Sequence, residues 1–91
     1  MISKTFLITS ELGIHARPAT KLVNLAMSLE SEIDLTSNER TINLKSIMGL
    51  MSLGIYKGQI IKVEVTGDSK EIDLKKIEDF LLNEGIGIVH E

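Results

Sequence analysis

The chain predicts an α+β fold: an open-faced βαββαβα sandwich with a four-stranded antiparallel sheet carrying three helices on one face. Three observations predict it. Apolar residues alternate with polar ones in four short segments, they recur at helical spacing in three others, and no linker, repeat or low-complexity tract separates the segments. A chain of 91 residues with 43% hydrophobic content can bury one core without disulfides or metal, so residues 1–91 are expected to form a single domain.

The first strand is expected from Ser3 to Thr9, with Phe6 and Ile8 on one face. A helix follows, because Pro18 is tolerated in a first helical turn and Gly13 lets the chain bend just before it. Ala19, Leu22, Val23 and Ala26 then repeat at i, i+3, i+4, i+7, with Lys21, Asn24 and Ser28 between them. His15 therefore falls at or beside the N-cap.

Ile33 and Leu35 mark a second strand and Ile42 and Leu44 a third, with a hairpin turn around Asn38. Ser46 to Leu53 reads as a short helix and Gln59 to Thr66 as a fourth strand, where Ile61, Val63 and Val65 alternate with Lys62 and Glu64. The last helix runs from Ser69 to Asn83. It has Asp68 or Ser69 as N-cap, a stripe of Leu74, Ile77 and Leu81, and Gly85 as a left-handed cap. Half-buried strands in this order imply an antiparallel sheet with its helices on one side.

Composition narrows the function. There are no cysteines, no signal peptide and no apolar run of about 20 residues, so a cytoplasmic protein without a membrane span is expected. Ten basic against thirteen acidic residues give a net charge of −3, and Phe6, Tyr56 and Phe80 are too scattered to stack bases. Nucleic acid is not an expected partner. No GxxxxGK[ST] loop and no metal-ligand cluster are present, so no cofactor or metal is expected, and any phosphoryl group must come from another protein.

The chemistry concentrates in Gly13-Ile14-His15-Ala16-Arg17-Pro18-Ala19-Thr20. The first amides of a helix lack intrahelical acceptors and form the positive end of its dipole, so an anion there gains about 0.3–1 kcal/mol. Arg17 adds a donor fork matched to phosphate oxygens. An imidazole is itself a covalent nucleophile that keeps a neutral fraction at cellular pH. A lone histidine before a helix is ordinarily an exposed cap residue without chemistry, but the company of Arg17 and of the helix start makes a phosphoryl acceptor the expected role of His15.

The short middle helix carries a second signal. Ile47, Met48, Leu50, Met51 and Leu53 encircle it, yet a helix on a sheet buries only one side. Leu50 and Leu53 are expected inward, leaving Ile47, Met48 and Met51 partly exposed. Methionines suit a surface that accepts several partners, but these residues can equally cap the core edge, and the pattern alone does not choose. Ser46 stands at the N-cap position. A phosphate there would add about −1.5 to −2 charges beside the apolar patch, changing docking while sparing the fold.

The octapeptide around His15 resembles the phosphorylation site of HPr, the histidine-containing phosphocarrier family of the bacterial phosphoenolpyruvate-dependent sugar phosphotransferase system. Asn43 to Gly54 is similar to the same family around its regulatory serine, and the similarity runs from about Lys4 to Gly87. The resemblance implies the same sandwich fold and a stoichiometric carrier rather than an enzyme. In it, His15 takes phosphate from enzyme I as a pros-phosphohistidine, Arg17 contacts the phosphate, and enzyme IIA domains remove it. It also implies a partner-binding surface of Ile47, Met48, Met51, Thr20 and Lys21, and phosphorylation of Ser46 by the ATP-dependent HPr kinase/phosphorylase. The serine-phosphorylated form would then act as corepressor with the catabolite-control repressor.

A carrier that meets several partners is expected to be a monomer. Two other readings share the fold: a regulatory module bearing no phosphate on His15, whose relatives lack this histidine, and a carrier in a nitrogen-related branch. Three features depart from the family pattern. Glu39 follows Asn38 where glycine is common, and a positive φ would cost it roughly 1–2 kcal/mol, so another turn type is expected. Leu12 is apolar where a short polar residue is common. The tail Ile88-Val89-His90-Glu91 extends past the usual ending and is expected to fray, leaving His90 without a role.

Overall fold

A computed structural model describes residues 1–91 as β1 (Ile2–Ile8), α1 (Ala16–Met27), β2 (Glu32–Ser37), β3 (Arg40–Asn43), α2 (Ile47–Ser52), β4 (Ile60–Thr66), α3 (Lys70–Asn83) and β5 (Gly87–His90). The strands form one antiparallel sheet in the order β3-β2-β4-β1-β5. Register follows from alternation. Phe6 pairs with Ile61 and Leu35 with Val63, so one face of the sheet is apolar throughout its middle. The stripes Ala19, Leu22, Val23, Ala26 of α1 and Leu74, Ile77, Leu81 of α3 close over that face, with Leu50 and Leu53 from the α2 region. Each such buried side chain contributes on the order of 1.5–3 kcal/mol. The other face carries Thr5, Asp34, Thr36, Lys62 and Glu64 and has no helix over it.

Two expectations are corrected. The sheet has five strands rather than four, because the tail expected to fray pairs with β1 from Thr5↔His90 to Ile8↔Gly87. The reason is the free edge of β1: an unpaired row of backbone groups is satisfied when Ile88 and Val89 alternate across the pleat and supply the missing strand. Gly87 is needed there, since a Cβ would lie 2.7 Å from the Leu7 carbonyl oxygen. The carbonyl of His90 accepts from the Thr5 hydroxyl at 2.6 Å, while its imidazole is exposed.

The second correction concerns the β2–β3 hairpin. Asn38 and Glu39 have φ of 51° and 67°, so the chain keeps the two-residue type I′ turn without its usual glycine. Strand register decides this. Ser37 pairs with Arg40, and any other loop length would slide Leu35 or Ile42 out of place.

Far from this hairpin, Asp73 near the start of α3 is buried and accepts the Ser31 backbone N–H at 3.2 Å and the Ser69 hydroxyl at 2.8 Å. It ties the entry to β2 to the first turn of α3. Burial alone would raise its pKa, but the hydrogen bonds from Ser31 and Ser69, with nearby Lys76, hold it below the ordinary aspartate value.

Glu39→Gly is expected to raise stability by about 0.5–1 kcal/mol, the relief of left-handed strain less the entropy of the added glycine. A denaturant midpoint that fails to rise would contradict the strain argument. Because the folded pKa of Asp73 is depressed, its contribution is complete above the unfolded value of about 3.9 and is lost as pH falls through the folded value. Asp73→Asn should therefore be destabilised at neutral pH by about 1–3 kcal/mol. Its acid unfolding profile below about pH 5 should also be flatter than that of the unaltered protein, and parallel profiles would count against this.

Candidate functional site

The segment before α1 is fixed by backbone geometry. Gly13 adopts φ +62°, and a Cβ on it would lie 2.2 Å from the Ile55 carbonyl oxygen, so only glycine allows this approach. Ile14 donates its N–H to that same oxygen at 3.1 Å and buries its side chain. The next residue, His15, is thereby placed as the N-cap of α1, with extended backbone angles, and its carbonyl accepts from Ala19 at 2.9 Å.

The imidazole of His15 is exposed and makes no capping hydrogen bond. The N–H groups of Ala16 and Arg17, in the first turn, have no acceptor within the protein, and Pro18 has no N–H to leave orphaned. The Arg17 guanidinium likewise has no ion-pair or hydrogen-bond partner, and α1 carries no acidic residue in its first turn. His15 and Arg17 line a cavity of about 180 Å³ together with Ser10, Pro18, Lys21, Glu84 and Ile86. A shallower depression beside it is lined by His15, Ala16, Arg17, Thr20 and Lys21. The result is a nucleophilic nitrogen, a free cation and unpaired amides around a space open to solvent, which suits a transient anion on the imidazole.

The structure brings His15, Arg17, Thr20 and Lys21 together, and sets Ile47, Met48 and Met51 on α2, with Ser46 just before it, beside α1. The Thr20 hydroxyl is occupied, donating to the Ala16 carbonyl at 2.9 Å. Ser46 is the N-cap of α2, its hydroxyl oxygen accepting from Gly49 N–H at 3.0 Å. Met48 is 83% exposed and Met51 45%, and Ile47 is also exposed, whereas Leu50 and Leu53 are buried. Leu12 is exposed rather than packed on its loop.

Sequence reasoning missed four residues. Ser10, Glu84 and Ile86 line the His15 cavity, and Tyr56, 66% exposed, flanks Gly13 where the chain leaves α2. For Glu84 there was a signal: a carboxylate just before Gly85 sits at the negative end of a helix. Ser10 and Ile86 come together only through the sheet, where the Ile86 carbonyl accepts the N–H groups of Thr9 and Ser10.

No helix is long and apolar enough to cross a membrane, and no three His, Asp or Glu side chains gather where they could hold a metal ion. A family model described as the phosphorylation site of the HPr component of the phosphotransferase system matches residues 2–83. The chain belongs to the HPr family.

Solved HPr structures agree with this membership. The mycoplasma histidine-containing phosphocarrier protein is 30% identical, covering 94% of this chain and 98% of its own, with a TM-score of 0.91. HPr from Thermoanaerobacter tengcongensis is 35% identical over 93% of this chain and 96% of its own, with a TM-score of 0.87. Crh of Bacillus subtilis, a catabolite-repression protein solved as a dimer with a swapped domain, is 29% identical over 94% and 98%, with a TM-score of 0.70. The fold and the phosphocarrier role in the phosphotransferase system are those of the family to which this chain belongs.

Proposed function

We propose that residues 1–91 act as a single cytoplasmic domain that accepts a phosphoryl group on His15 from phospho-enzyme I and passes it to enzyme IIA domains of the sugar branch. The carrying observation is the free imidazole at the N-cap of α1, facing the same cavity as an unpaired guanidinium. In loading, the lone pair of the pros nitrogen attacks phosphorus, an N–P bond forms, and the donor's bond to phosphorus breaks. Unloading reverses this, with the acceptor's nucleophile forming the new bond. The orphan amides and Arg17 balance charge on the phosphoryl oxygens without adding a covalent step. Each partner brings its remaining catalytic groups, so the chain is a carrier and not an enzyme.

The face of α2 serves as the partner surface, with Thr20 and Lys21 continuing it on α1. Ser46 is the site for HPr kinase/phosphorylase. A phosphate there stays compatible with the N-terminus of α2 but sets about two negative charges beside Ile47 and Met48. It slows loading of His15 and favours docking to the catabolite-control repressor. The likeness to Crh favours a second reading, a purely regulatory module, and loading of His15 separates the two.

Incubating the protein with enzyme I, magnesium and phosphoenolpyruvate should add one acid-labile phosphoryl group, seen by intact mass and ³¹P NMR. His15→Ala should take up none, and Ser46→Asp should load more slowly while keeping the native amide spectrum. Failure of the unaltered protein to load from an active enzyme I would favour the regulatory module. A Ser46→Asp variant loading at the unaltered rate would remove Ser46 as a brake on transfer.

A further inference from the structure

We propose that Lys21 is a second phosphate ligand of the His15 site, held on Glu84 while the histidine is free and passed to the phosphoryl group once His15 carries it. This role rests on the phosphocarrier reading above and adds to it a residue that engages only the loaded state.

Lys21 lies one turn after Arg17 on α1, and both line the cavity at His15. Two cations at i and i+4 repel each other, and Arg17 stands in the first turn at the positive end of the dipole, an arrangement that favours an anion beside them. Only Lys21 has a partner: its Nζ lies 3.6 Å from Oε1 of Glu84, with both side chains about half exposed. Glu84 is itself poorly placed. It forms the C-cap of α3, at the negative end of that dipole, and no basic residue stands in the last turn to offset it.

Glu84 thus opposes its own helix, Lys21 is repelled by Arg17 one turn before it, and the two meet in the lining of one cavity. A long, solvent-screened contact of this kind is easily exchanged. A phosphoryl group of about two negative charges on His15 outcompetes a single carboxylate for the ammonium and repels Glu84. The flexible four-carbon stem of lysine lets the ammonium change partners without movement of α1. Arg17, with no partner to leave, meets the phosphate directly. Glu84 is a positioning residue that keeps Lys21 off the unloaded imidazole.

The test uses the full chain loaded chemically with phosphoramidate, so that it does not depend on enzyme I. The ³¹P shift of phospho-His15 is followed against pH in the unaltered protein, Lys21→Gln, Glu84→Gln and the double variant Lys21→Gln/Glu84→Gln, with native amide spectra confirming the fold of each. The double variant preserves net charge, so a purely long-range effect of the pair cancels in it. Direct ligation predicts that the phosphoryl titration midpoint rises by about half a pH unit in both Lys21→Gln and the double variant. Glu84→Gln should give a midpoint no higher than that of the unaltered protein.

A double variant that titrates with the unaltered protein overturns the assignment and leaves Lys21 as background field. If phosphoramidate loads the unaltered protein no better than His15→Ala, both the carrier reading and this role for Lys21 fall. If it loads but enzyme I does not, the carrier reading fails, and the midpoint of the double variant still decides the role of Lys21.

Discussion

The contact between Gly13-Ile14 and the carbonyl of Ile55 is the constraint on which the functional end of this molecule depends. It has three parts: a left-handed glycine, an approach that excludes any Cβ, and a 3.1 Å hydrogen bond from the next residue. Together they fix where α1 begins, and so where His15 stands. They also bind the loop carrying His15 to the segment that follows α2, the helix that packs beside α1.

Around His15 the charges are arranged against the stability of the empty protein. α1 begins with no acidic residue, presents Arg17 and Lys21 one turn apart, and leaves its first amides unpaired, while α3 ends on a carboxylate. Arg17 in the first turn, its like-charged neighbour Lys21 and Glu84 at the end of α3 each cost a few tenths of a kcal/mol, and the cavity they line gains from the arrival of an anion. The sheet and its 21-residue buried core supply the margin that makes this affordable.

The fold was largely legible because alternation and helical spacing are local signals that agree with the tertiary result. Phe6 and Ile8, Leu22 and Val23, and Ile77 and Leu81 all lie in the core as their periodicity requires. What was not legible depended on pairing between distant segments. Val89 becomes a strand residue only because the edge of β1 is free, and Glu39 accepts a strained φ only because the register of β2 and β3 demands a two-residue turn. At the site, His15, Arg17 and Ser46 announced themselves through residue type at helix starts. Ser10, Glu84 and Ile86 did not, since the sheet and the end of α3 deliver them from opposite ends of the chain.

The central claim is that the start of α1 is built to receive a phosphoryl group on His15. Its most direct test is the amide ¹H–¹⁵N spectrum before and after loading. If the oxygens of phospho-His15 accept from the orphan groups, the N–H protons of Ala16 and Arg17 should move strongly downfield while amides in the middle of α1 stay in place. If both resonances keep their positions on a fully loaded protein, the helix terminus does not hold the phosphate, and the account of the site given by its geometry is wrong.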